Sequence, residues 1–356
     1  MRAPWLLLAL MVTTGLLLTG CSRRAEQELA EPVPVATPSL PSRTLHVFCY
    51  HGVEDSPSNT FFNRTEDFAA QMQVLADEGF HCINCTQWEQ YLAGKRDLPD
   101  KPVLLTFDDG NISVYDTVHP ILQRHGFTAT LFVYSSAIGN QGHMSWEQLK
   151  ELHSLGYEVG SHTVTHANLT RRDEDERLEA YQARIVEELT DSKTQIENAI
   201  GEPITALAYP YGNYDEFVMT AARDAGYRIA FSIDRGAADE RSDAWRLPRQ
   251  MVVRDNSLHT FKRWLTLEPL HLTDISPPVG QVASDANVEI CAKVTDDSVV
   301  LDQISVEGGK QAKLTTDDQT GNVVISTTLS AGANNIRLQY RGNPPRETSW
   351  VMVHRP

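Results

Sequence analysis

The sequence predicts an α/β protein, a distorted (β/α)7-type barrel followed by a small all-β sandwich. Three observations carry this. From Leu45 onward, short apolar runs alternate with longer amphipathic stretches, the pattern of parallel strands joined by helices. Six or seven such units over about 225 residues are the size of a barrel. Beyond Ser276 the helical period disappears, and short runs separated by Gly, Asn and Pro turns take over.

At the amino end, Arg2 precedes an apolar run from Trp5 to Leu18 and then Leu18-Thr19-Gly20-Cys21. The run is too short to span a bilayer, so residues 1–20 read as a signal segment. Its ending resembles a bacterial lipobox, which implies cleavage before Cys21 and acylation there; several acyl chains make a stable anchor. Ser22 in place of Asp favours the periplasmic face of the outer membrane. The alternative is an ordinary cleaved signal with a chance cysteine. Residues 21–43 carry Pro32, Pro34, Pro38 and Pro41, too closely spaced for helix or sheet, and read as a tether.

The barrel is expected over 44–272, with strands at 45–50, 81–84, 103–107, 128–133, 157–159, 206–208 and 228–233. Helical patterns lie at 65–78, 114–125, 145–154, 172–200 and 215–224. The clearest is 172–200, where Leu178, Tyr181, Ile185, Leu189, Ile196 and Ile200 recur mostly at three or four residues, with Gly201 just past the end. After Pro277 and Pro278, runs at 288–294, 301–306, 323–329, 335–340 and 349–353 predict an immunoglobulin-like sandwich over 276–356. Tyr340 and Trp350 at strand positions are expected in its core, and no pattern there identifies a ligand.

Composition excludes several classes. With 41% hydrophobic and 22% charged residues the chain is neither disordered nor a multi-span membrane protein. A net charge of −16, from 47 acidic against 31 basic residues, argues against nucleic acid as a partner. Of five cysteines, Cys21 is assigned to lipid. Cys82-x-x-Cys85 lacks a second pair for a four-sulfur site, and no thioredoxin-like helix is read after it. A structural disulfide within the group Cys49, Cys82 and Cys85 is expected, its pairing open.

Three polar motifs fall at the carboxyl ends of predicted strands, the face on which barrels carry their active sites. Asp108 and Asp109, in TFDDG, are adjacent carboxylates after a buried strand. They are costly together unless a cation or a shared proton relieves them. His162 and His166, in SHTVTH, are spaced to share one metal, and the β-branched residues between them favour a loop. AYPYGNYD, from Ala208 to Asp215, is an aromatic turn ahead of a helix. One carboxylate and two imidazoles make a facial set for a divalent metal with open positions for water and substrate. Each motif alone has a structural reading: a strand-ending turn, satisfied histidines, a capped loop.

In this order TFDDG, SHTVTH and AYPYGNYD resemble the polysaccharide deacetylase family, the NodB-homology domain or carbohydrate esterase family 4, and within it the biofilm poly-N-acetylglucosamine deacetylases. The resemblance covers about 45–265 and implies a distorted barrel. By motif position it implies Asp109, His162 and His166 as ligands of one divalent metal, zinc first, with cobalt or nickel as alternatives, and Asp108 as general base. It implies the Tyr211 backbone N–H as an oxyanion donor, and Tyr209, Pro210 and Tyr211 as the substrate wall. Many members carry Arg where this chain has Ala208; Arg249 in Leu247-Pro248-Arg249 is assigned that charge. For the family's closing histidine nothing matches well; His271 is the candidate general acid, with a linker role as the alternative.

The implied substrate is N-acetylglucosamine-containing polysaccharide, whether exopolysaccharide, chitin-like or peptidoglycan, with acetate released. Acetyl-ester hydrolysis on xylan is the nearest alternative, since an alcohol leaves without an acid's help. A non-catalytic glycan-binding lipoprotein would leave all four motif residues idle. A non-haem iron oxygenase uses the same donor types, but on a jelly roll.

Overall fold

The computed structural model describes residues 40–57 and 59–356. The expected signal segment 1–20, Cys21 and the tether up to residue 39 lie outside the described residues. Residues from Leu40 to Pro356 form one compact unit. No helix among the described residues is long and apolar enough to cross a membrane.

The chain begins with β1 (His46–Tyr50), β2 (Gly52–Glu54), β3 (Phe62–Arg64), α1 (Thr65–Asp77), β4 (His81–Cys82), α2 (Cys85–Leu92) and β5 (Pro102–Asp108). It continues with α3 (His119–His125), β6 (Thr130–Val133), α4 (Trp146–Ser154), β7 (Glu158–Ser161), α5 (Leu178–Ile200) and β8 (Ala206–Ala208). Then come α6 (Glu216–Asp224), β9 (Ile229–Phe231), β10 (Gln250–Met251) and α7 (Leu258–Trp264). One wholly parallel sheet runs β10-β1-β5-β6-β7-β8-β9, with β4 beside the start of β5. Irregular backbone bonds between Ala230 and both Ala244 and Leu247 tie β9 to the segment before β10 and curl the sheet into a distorted barrel.

Strand alternation decides what each face carries. Along β5, Val103, Leu105 and Phe107 pack outward with Phe68, Leu122 and Leu149 of the surrounding helices, while Leu104 packs inward with Val47, Phe132, Ala208 and Phe231. The same period turns Thr106 and Asp108 inward. Trp88 and Tyr91 of α2 share the inner cluster. The α2 amino end is held by Glu158 at the start of β7, which accepts from the Cys85 amide at 2.6 Å, so α2 closes the barrel where its strands begin.

The remaining strands are β11 (Glu268–Pro269), β12 (Leu272–Ser276), β13 (Val282–Ala283), β14 (Asn287–Val294), β15 (Ile304–Glu307), β16 (Lys310–Asp317), β17 (Asn322–Thr328), β18 (Gly332–Tyr340) and β19 (Arg346–His354). They form two sheets, β11-β19-β18-β15 with β13 beside β19, and β12-β14-β17-β16. Ile290, Val323 and Ile325 of one sheet meet Ile336, Leu338, Trp350 and Met352 of the other, and Tyr340 is buried among them. On β19, alternation sends Trp350 and Met352 into this core but Val351 and Val353 into the barrel's outer core. The two parts are further tied by Arg355, whose Nη2 lies 2.7 Å from Asp215, and by the Val351 amide, which donates to the Tyr214 hydroxyl.

Some expectations change. The long helix starts at Leu178 rather than 172, because 172–177 is a run of charges with no apolar residue to pack. β16 escaped sequence reading because it is a polar edge strand, half of whose side chains face solvent. A helix does follow Cys82-x-x-Cys85: α2 begins at Cys85 with an Asn84 and Gln87 capping box. The expected disulfide is absent, and Cys49, Cys82, Cys85 and Cys291 are all free. Cys82 packs on the outer core and Cys85 on the inner one, on opposite sides of the sheet, and the Cys49 thiol donates to Asp108.

Candidate active site

The three motifs meet at the carboxyl ends of β5, β7 and β8, around a cleft of about 370 Å3. Asp108, the last residue of β5, points inward, and Arg249 forks onto it with Nη1 2.7 Å from Oδ1 and Nη2 2.9 Å from Oδ2. Both side chains are buried. Asp109 turns into the left-handed region at φ 72 and carries its carboxylate to the two histidines: Oδ1 is 3.7 Å from His162 Nε2 and 3.5 Å from His166 Nε2. The His162 Nδ1–H donates to the Ala208 carbonyl at 2.7 Å, which leaves Nε2 as a lone pair facing Asp109. Of seven non-glycine residues at positive φ among the described residues, Asp109, Thr163, His166 and Tyr211 lie here. Such strain concentrates at functional sites.

The first motif residues and both histidines fall within residues 95–230, which match the family model described as polysaccharide deacetylase. The chain contains a polysaccharide deacetylase domain. It is 29% identical over 208 residues to YxkH of Bacillus subtilis, covering 58% of this chain and 71% of that one. Against the poly-beta-1,6-N-acetyl-D-glucosamine N-deacetylase of Staphylococcus aureus it is 27% identical over 180 residues, 49% of this chain and 62% of that protein's length. Among solved structures, IcaB from Ammonifex degensii superposes with a TM-score of 0.55 at 29% identity, over 63% of this chain and 97% of that one.

Within the deacetylase domain the adjacent carboxylates are shifted in opposite directions. Burial alone would raise the Asp108 pKa, but the Arg249 charge, helped by His162, overrides it and holds the group below the usual carboxylate range. Asp109 has no such partner, and burial, with repulsion from Asp108, pushes it up to about 6 against an opposing pull from His51. Burial pushes His162 down to about 3 and lowers His166. The imidazoles are therefore neutral near pH 7 and offer lone pairs.

A divalent cation fits this donor set. Asp109 Oδ1 is buried without a hydrogen-bond partner, and the Asp109, His162 and His166 donor atoms all lie within 4.8 Å of one another. Two nitrogens and one carboxylate oxygen suit zinc and its neighbours. Cys49, His51 and Asp108 form a second group of the same compactness. There, however, the Arg249 charge already occupies both Asp108 oxygens.

The structure separates the other expected residues. Tyr211 is 56% exposed, with its ring 4.7 Å from that of His166, so it forms one wall of the cleft. Tyr209 and Pro210 are buried; Tyr209 still lines the cleft, with its hydroxyl donating to the Trp245 carbonyl, and the exposed ring of this wall is that of Tyr211. Gly212 holds the turn: its φ is 68, and a Cβ there would lie 2.6 Å from the Ile233 nitrogen. His271 does not line the cleft. Its Nε2 is 2.8 Å from Asp239, where the chain leaves the barrel for β12, so the expected general acid is not there.

Sequence reasoning missed His51, which lines the cleft with a buried Nδ1 lacking a partner, and Phe61, 48% exposed with its ring 5.4 Å from that of His51. The signal for His51 was present. Val47 packs inward and the Cys49 thiol reaches Asp108, so the period-two count along β1 brings His51 to the same inner face just past the strand end.

Proposed function

We propose that the protein is a metal-dependent N-deacetylase of N-acetylglucosamine polysaccharide that releases acetate. The observation that carries this is the pairing of an Arg249-clamped Asp108 with a three-donor set of opposite character one residue away. Asp109, His162 and His166 would hold the cation, which supplies Lewis acidity to a carbonyl and lowers the pKa of water. Asp108, kept ionised by Arg249, takes the proton of the attacking water as its oxygen adds to the acetyl carbon. The carbon–nitrogen bond then breaks, acetate forms, and the amine leaves with a proton. His51 is the imidazole placed to deliver that proton in place of His271. The Tyr211 backbone N–H is assigned to the developing oxyanion. Phe61 and Tyr211 offer apolar faces to a neutral sugar ring, and the substrate class is carried over from the staphylococcal relative.

The test is to incubate the protein with poly-N-acetylglucosamine, chitin oligomers, peptidoglycan and acetylated xylan, measuring acetate and free amine. Equal release of both from an N-acetylglucosamine polymer, stopped by chelation and restored by zinc, cobalt or nickel, is expected. Acetate from xylan without amine from any glycan would assign an esterase instead. We further propose, on the lipobox-like sequence alone, that acylated Cys21 anchors the chain at the periplasmic face of the outer membrane. Mass spectrometry of the mature amino terminus should find a lipid-modified Cys21, and any other start refutes the anchor.

A further inference from the structure

The carbonyl side of the loop that joins the two cleft histidines is held by the residues just past β6, where the Ser135 and Ser136 amides donate to the Thr163 and Val164 carbonyls at 3.0 Å. Its conformation is costly: Thr163 and His166 sit at φ 70 and 61, a region that side-chain-bearing residues avoid, and Thr163 is β-branched. Helix α5 supplies the acceptors for the loop's amide side. Glu188 is almost fully buried, and its Oε2 accepts from both the Val164 and the Thr165 amides at 2.9 Å. Its Oε1 accepts from the Thr165 hydroxyl at 2.5 Å. One turn along the same face, the buried Ser192 hydroxyl pairs at 2.7 Å with Ser161, whose oxygen in turn accepts from the Thr163 amide. Inside the loop, Thr163 Oγ1 accepts from the His166 amide.

We infer that Glu188, supported by Ser192, is a positioning residue for the metal site: it fixes the backbone between His162 and His166 so that both Nε2 atoms converge on Asp109. The inference rests on the metal-dependent reading above. Two consecutive amides on one carboxylate oxygen form a small anion nest, and it persists only while an acceptor is buried there. Remove the acceptor, and two part-buried amides lose the partner that holds them together. The loop then relaxes toward ordinary backbone angles and takes His166 out of line. His162 is less affected, because its Nδ1–H is fixed independently by the Ala208 carbonyl.

The experiment measures zinc affinity of the full chain by competition with a chromophoric chelator, for wild type, Glu188→Gln and Glu188→Leu, beside His166→Ala. Glu188→Gln keeps an oxygen acceptor for both amides, whereas Glu188→Leu keeps the bulk without it. Glu188→Leu should weaken zinc binding about 10- to 100-fold, the range for residues that orient ligands. Glu188→Gln should stay within a few-fold of wild type, and the His166 variant should lose more than either. Far-ultraviolet circular dichroism on the metal-free proteins checks that each variant is folded. If Glu188→Leu does not fold, Ser192→Ala serves in its place, with a smaller loss of affinity expected. Wild-type affinity in a folded Glu188→Leu or, where that variant fails to fold, in Ser192→Ala overturns the positioning role. Absence of zinc binding in the wild type overturns the metal reading itself.

Discussion

Asp108→Asn is expected to lower the rate of acetate release about 10²- to 10⁴-fold, the range for loss of a general base, while zinc remains bound. The proposed metal donors are Asp109, His162 and His166; Asp108 is not one of them, although its Oδ2 lies 3.8 Å from His162 Nε2. What it removes is the proposed acceptor for a water proton and the counter-charge of Arg249, which is fully buried and makes both its short terminal contacts to this carboxylate. A buried cation left without its partner costs about 3 to 5 kcal/mol, so the variant should also unfold at lower denaturant. Arg249→Leu should lose stability on the same scale for the mirrored reason, a buried carboxylate left alone. Activity per metal-loaded folded molecule is the quantity to compare. Wild-type turnover in Asp108→Asn would remove it from the mechanism.

His162→Ala is expected to abolish tight zinc binding and turnover together. Its imidazole is buried, neutral near pH 7 and fixed in one tautomer by Ala208, so no other described side chain can replace its Nε2. The loss in affinity should exceed the roughly 100-fold typical of residues that merely orient a ligand. The wild type should show a matching pH dependence. With Asp109 pushed up to about 6 by burial, protons compete for this ligand below that value, so zinc affinity should fall as pH drops through 6. With His162 down at about 3, that ring does not compete in the same range. Equilibrium competition at several pH values measures both effects. Unchanged zinc binding in His162→Ala would rule it out as a ligand.

Much of this site was legible before any coordinates. The alternation along β5 that buries Leu104 and turns Asp108 inward is written in residues 103–108, and the SHTVTH spacing announces two imidazoles within reach of one ion. The barrel strands were read to within a few residues because their apolar runs are bounded by polar turns. The C-terminal β part was likewise legible from its short runs, though its polar edge strand β16 was not. Failures came where a residue's role depended on its neighbour across the sheet. Tyr209 lines the cleft as its motif suggests, but it is buried with its hydroxyl on the Trp245 carbonyl; His271, the candidate general acid, takes its alternative linker place and pairs with Asp239.

By itself, then, the sequence determined seven strands and five helices of the barrel but not α2, α7 or β10, together with the faces those elements present and the order in which three polar motifs reach one end of the barrel. These are local properties, set by side-chain period and turn chemistry within a few residues. The family resemblance already offers Arg249 as the base's partner, but only the tertiary structure decided that it forks onto both Asp108 oxygens, that His51 rather than His271 faces the cleft, and that Val351 and Arg355 tie the β part to the barrel. It also decided that Glu188 holds the histidine loop and that Cys82 and Cys85 point to opposite sides of the sheet. Contacts of that kind are fixed by how the sheet closes and how helices pack on it, so no stretch of neighbouring residues contains them.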